Sequence, residues 1–124
     1  MSVGVLRAYP ALVRGRRLVK RGGWRALVTA LPPRPTGDRP AGVDVHALAA
    51  GCARAARRLP LDTACLERSY ATCSVLRRHG IGSVLTVGVS RSAPMRFHAW
   101  VEVDDEVLNE SQPIHRLYRV LCRL

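Results

Sequence analysis

Three residue types that together can run acyl transfer occur in order along this chain: the thiol of Cys65, the imidazole of His98 and the carboxylate of Glu110. A thiol attacks a carbonyl only as thiolate, and a free cysteine is mostly protonated near neutral pH. The start of a helix favours the anion through its free N–H groups and the positive end of its dipole. An adjacent imidazole then takes the thiol proton and returns it to the leaving amine. His98 lies within Phe97-His98-Ala99-Trp100-Val101-Glu102-Val103, a run with strand character, and its tautomer needs a carboxylate or amide from a neighbouring strand. Glu102, Asn109 and Glu110 are the available groups. Glu102 is four residues along the same strand, too far for a direct hydrogen bond in extended backbone, so the return strand's Asn109 or Glu110 is the better partner.

The elements that must hold these groups can be read from periodicity. Val45, Leu48, Ala49, Cys52, Ala55, Ala56 and Leu59 recur at helical spacing within 43–59, and Pro60 ends that helix. Asp62 or Thr63 is expected to cap the next one, which places Cys65 in its first turn. Leu66, Tyr70, Cys73 and Leu76 or Arg77 follow at steps of three and four, so Cys73 belongs to a buried face while Cys65 stands at the helix mouth. His79-Gly80 closes the helix with a basic residue and a glycine. Strands are expected over 83–89, 95–103 and 106–109, with Asp104-Asp105 turning the second into the third. Alternation puts His98, Trp100 and Glu102 on one face and Phe97, Ala99, Val101 and Val103 on the other.

Upstream, Leu12, Leu18, Val19, Leu27, Val28 and Leu31 sit between basic residues, which reads as one or two amphipathic helices broken near Gly22-Gly23. Pro32, Pro33, Pro35, Gly37 and Pro40 then exclude helix and central strand. That stretch is the best internal boundary, giving a basic helical segment with its Pro-rich linker over 1–42 and a core over 43–124. With 124 residues and 48% hydrophobic content, the chain can bury one modest core, built mainly from Leu, Val and Ala because aromatics are scarce.

Charge and cysteine usage exclude several classes. Twenty Lys and Arg against nine Asp and Glu give +11, which favours acidic partners, yet the basic residues are scattered and all but Lys20 are arginine. Cys52, Cys65, Cys73 and Cys122 form no Cys-x-x-Cys pair, so neither a zinc site nor a secreted disulfide framework is indicated. Arginines interrupt every candidate signal or membrane segment, and the chain is expected in the cytoplasm with reduced thiols.

Several segments in order carry a family resemblance: Cys65-Leu66-Glu67-Arg68-Ser69, Leu76 with His79-Gly80, Leu85 with Val87-Gly88-Val89, Phe97 to Glu102, and Leu108-Asn109. Over roughly 43–121 the chain resembles the transglutaminase-like leader peptidase of lasso-peptide biosynthesis. The resemblance implies an α+β, papain-like or transglutaminase-like cysteine protease core, with N-terminal helices followed by a catalytic helix packed on a small antiparallel sheet. It implies a cysteine peptidase that removes the leader from a ribosomally made lasso precursor peptide, freeing the core peptide's amine for macrolactam closure. Cys65 would be the nucleophile and His98 the base. The third member is Glu110, where the family usually has Asp, with Asn109 as substitute if Glu110 points away.

The same resemblance implies partners: the precursor at its leader–core junction, a separate leader-recognition protein, and an ATP-dependent cyclase resembling asparagine synthetase. A stand-alone peptidase is expected, with no room for a fused recognition domain before residue 43, and the basic N-terminal helices would dock an acidic recognition protein or leader. Hydrolysis itself needs no metal or other cofactor. A transglutaminase-like acyltransferase would use the same residues with an amine in place of water. From another class, a non-enzymatic nucleic-acid-binding protein would exploit the charge, but the chain lacks an aromatic stacking platform and any DNA-binding motif, so no nucleic-acid partner is expected. A degenerate scaffold would keep the fold with an unreactive Cys65.

Overall fold

The computed structural model describes residues 3–59 and 64–124. Helical periodicity yields α1 (Val3–Thr29), α2 (Val45–Arg58) and α3 (Cys65–Arg78). Strand alternation yields β1 (Val84–Ser90), β2 (Phe97–Val103) and β3 (Glu106–Leu108), followed by the single turn α4 (Ile114–Leu117) and β4 (Tyr118–Arg123). The architecture is α+β, as expected: α3 packs on one antiparallel sheet of order β3-β2-β1-β4, and α1 and α2 pack on each other and on α3.

Local signals explain where the elements begin and stop. Asp44 caps α2 by accepting from the Ala47 N–H at 3.0 Å. At the far end of α3, His79 is the C-cap and Gly80 follows at φ +82°, the left-handed conformation that the expected closure requires. Asp104 and Asp105 both take positive φ, 50° and 65°, in the two-residue turn that joins β2 to β3. The break foreseen in the first helix falls at Gly23, whose φ of 65° and ψ of −159° are not helical.

One strand was not foreseen. β4 alternates half-buried Tyr118, Val120 and Cys122 with exposed Arg119, Leu121 and Arg123, a period-two pattern at a sheet edge. Leu85 and Leu124 extend its pairing with β1 through reciprocal backbone bonds of 3.1 and 2.8 Å. The three expected strands appear with ends shifted by one or two residues.

The core lies between helices and sheet. α1 sends Val5, Ala8 and Leu12 into the same cluster as Leu48 and Cys52 of α2, Tyr70 and Leu76 of α3, and Leu85 and Val101 of the sheet. Where α1 crosses α2 the backbones nearly touch: a Cβ added at Gly51 would sit 2.8 Å from the Gly4 Cα. The reliance on Leu, Val and Ala needs amending, because the two largest fully buried side chains are Trp100 and Tyr70. Buried Arg77 joins distant segments by donating to the carbonyls of Ser83 (3.1 Å), Pro32 (2.9 Å) and Leu124 (2.7 Å). Arg39 pairs with Asp104 and so ties the Pro-rich stretch to the β2–β3 turn.

Candidate active site

Cys65 is the first residue of α3, half-buried, with Ala64 at the N-cap position. Asp62 and Thr63, the expected capping residues, lie outside the described residues. Glu67 supports this end from inside the helix, accepting from the Ala64 N–H at 3.4 Å. One turn on, the Ser69 hydroxyl donates to the Ala99 carbonyl at 3.1 Å and pins α3 against β2. Cys65 and Ser69 share a helix face, so the bond that fixes α3 also fixes the thiol beside the strand bearing His98.

β3 pairs with β2 only at Val101, Glu102 and Val103, leaving the Phe97–Ala99 stretch of that edge uncovered. The chain turns away at Asn109, φ 61°, and delivers Glu110 to the imidazole. His98 Nε2 meets Glu110 Oε1 at 2.7 Å, with both side chains about a fifth exposed, at 21% and 23%. Asn109 instead donates to the Ala49 carbonyl of α2 at 2.9 Å. Of the two candidates for the third position, Glu110 therefore contacts His98 and Asn109 anchors the turn. With Nε2 engaged, Nδ1 is the ring nitrogen left for the thiol.

The electrostatics separate the thiols. The hydrogen bond to His98 is the largest influence on Cys65 and draws its pKa below the ordinary thiol value, against the opposing effect of burial; the Ala99 N–H, the His98 charge and Arg68 add to the lowering. Burial pushes Cys73 up, and Cys52 up to about 11. His98 is raised, first by its hydrogen bond to Cys65 and then, against burial, by the bond to Glu110 and the charges of both partners. These directions favour a thiolate–imidazolium pair.

The pair borders a cleft of about 290 Å³, lined also by Cys52, Arg57, Arg68, Ser69, Asn109 and Glu110. Among the described residues no group of three or more His, Cys, Asp or Glu side chains is placed to hold a metal ion, and no helix is long and apolar enough to cross a membrane. The profile of the transglutaminase-like superfamily matches residues 10–123. The chain belongs to the transglutaminase-like superfamily. No match was found among the curated proteins or among the solved structures. The superfamily includes cysteine peptidases and acyltransferases and is typically a Cys-His-Asp enzyme family. In this member the carboxylate at the imidazole is a glutamate.

Beyond Cys65, His98 and Glu110, further aromatic and polar groups surround this transglutaminase-like site. His98 stacks on Tyr118 of β4 (ring centroids 5.1 Å apart) and on Trp100 (5.9 Å). The Trp100 ring lies over Gly88, where an added Cβ would come within 2.7 Å of it. Its indole N–H donates to Glu102 at 2.9 Å, and His115 Nε2 reaches the same buried carboxylate at 2.9 Å. Glu102 thus orients the ring behind His98 and does not contact His98 itself. The shared face of His98, Trp100 and Glu102 was legible as alternation; the arrival of Tyr118 and His115 depended on the unforeseen β4.

The Glu110 contact predicts a pH signature. The productive thiolate–imidazolium form exists between an acidic limit, where the thiolate is protonated, and an alkaline limit, where the imidazolium loses its proton. Glu110→Gln keeps a hydrogen-bonding amide but removes the charge that helps raise His98, so the alkaline limb of kcat/KM should move to lower pH. An unchanged alkaline limb in this variant would show that Glu110 does not tune the base.

Proposed function

We propose that this chain is a cysteine peptidase that cleaves the leader from a lasso precursor peptide before macrolactam formation. The observation that carries the reading is the junction of a thiol at a helix start, its pKa drawn below the ordinary value, with an imidazole held by a carboxylate, within one open cleft. The ordered resemblance from Cys65 to Asn109 supports the leader-peptidase assignment within the superfamily. Cys65 thiolate attacks the scissile carbonyl, and backbone N–H groups near Cys65 contribute to stabilising the oxyanion. His98 gives its proton to the departing core amine, leaving the leader as a thioester on Cys65. It then removes a proton from water, which hydrolyses the thioester and restores the thiolate.

In this reading the reaction takes place in the cytoplasm, where the thiol stays reduced. A separate recognition protein presents the leader, the basic surface of α1 docks that acidic partner or the leader itself, and an ATP-dependent cyclase consumes the freed amine. The test is mass spectrometry of precursor incubated with this chain, with and without the recognition protein. One cut at the junction, giving leader acid and core amine, is the expected result. An intact precursor under both conditions, or an amine-adduct product in place of the leader acid, would overturn the peptidase reading.

A further inference from the structure

Among the described residues, two arginines from different helices border the cleft without a hydrogen-bond or ion-pair partner in it. Arg57, in the last turn of α2, and Arg68, in the first turns of α3, both line the space beside Cys65, His98 and Glu110. Both side chains are exposed, and among the described residues neither enters a hydrogen bond or ion pair. Several other arginines are spent within the fold: Arg77 on three carbonyls, Arg91 on the His115 carbonyl, Arg123 on Glu102. Among the described residues, Glu110 is the one carboxylate lining the cleft, and it is already committed to His98. Among the described residues the cleft therefore presents, next to the nucleophile, two guanidinium groups with no carboxylate partner, Arg68 acting on Cys65 through its charge.

A concave site lined by one sign of charge concentrates ligands of the other, and the planar guanidinium fork matches a carboxylate better than it matches any neutral side chain. The cleft beside Cys65 is walled on one side by residues of α2 and α3, Arg57 and Arg68 among them. We propose that Arg57 and Arg68 form a carboxylate-reading subsite, so that the cleft selects peptides carrying an aspartate or glutamate side chain beside the scissile bond. This deepens the peptidase reading and rests on it for the word substrate, but the anion subsite can be tested without any cleavage.

The probe is the pair iodoacetate and iodoacetamide, which alkylate a thiolate identically: the sulfur–carbon bond forms as iodide leaves with the electron pair of the carbon–iodine bond. They differ in charge alone. Rates at Cys65, located by peptide mass spectrometry, give a ratio in which general changes of thiol reactivity cancel. Arg57→Gln should lower the iodoacetate-to-iodoacetamide ratio by about two- to fivefold, the scale of one exposed ion pair. Arg57→Glu should lower it further, and added salt should lower it in the unaltered chain.

A ratio insensitive to both substitutions and to salt overturns the subsite, whatever happens to the precursor. If the chain cleaves precursor, junction peptides with Glu in place of Gln should be preferred mainly through KM, and Arg57→Gln should erase that preference. A preference that survives the substitution counts against the proposal. An intact precursor together with a charge-sensitive ratio would sink the peptidase reading and leave the anion subsite standing.

Discussion

Cys65→Ala is expected to fold, to bind precursor and to leave it uncleaved, while His98→Ala retains the thiol and loses about 10²- to 10⁴-fold in kcat/KM, the usual range for a general base. The first change removes the bond-forming atom. The second removes the largest influence that lowers the Cys65 pKa, so the thiolate fraction and the proton transfer to the amine fail together. Because the two groups act as one unit, the double variant should be no worse than Cys65→Ala alone. Steady-state cleavage of a junction peptide, with circular dichroism as the control for folding, checks all three chains. Cleavage retained by Cys65→Ala would refute the assignment of the nucleophile.

Trp100→Ala is expected to cost about 3–5 kcal/mol, the usual range for emptying a buried aromatic site. The ring is 1% exposed, stacks on His98, lies edge-on to His115 at 6.0 Å and covers Gly88. Its removal leaves a void and deprives the buried Glu102 of its indole donor. Domains are commonly stable by only about 5–15 kcal/mol, so this variant should be partly unfolded or have a much lower midpoint in urea. Trp100→Phe separates the two contributions: most of the volume stays, the N–H goes, and the expected loss is about 1–3 kcal/mol. A loss below about 1 kcal/mol for the alanine variant would mean that the ring is not the keystone its burial suggests.

The parts of this molecule governed by near neighbours were legible. α2 and α3 declare themselves by apolar spacing, the His79-Gly80 closure by its residue types, and the β2–β3 hairpin by Asp104-Asp105 between two apolar runs. Cys65 was separable from Cys73 for the same reason, since a helical repeat puts one at the mouth and the other on the packed face. What could not be read depends on chain segments meeting after collapse. Nothing local to Tyr118 says that its ring will stack on His98, and β4, short and basic at a sheet edge, offers only a weak period of two. The choice between Asn109 and Glu110 was likewise closed to sequence, because it turns on a carbonyl of α2. Arg57 and Arg68 looked like two more members of a scattered basic set until the helices brought them to one cleft.

The Asn109–Ala49 bond has a consequence for when the chemistry becomes available. Cys65 belongs to the helical layer, His98 to the sheet, and the turn that carries Glu110 is moored to a helix across the seam between them. No layer holds a reactive pair by itself. A chain still gathering its tertiary structure carries Cys65 as an ordinary, mostly protonated thiol, with neither base nor carboxylate in reach. The lowering of the Cys65 pKa by His98 and by the Ala99 N–H therefore depends on the docking of the two layers.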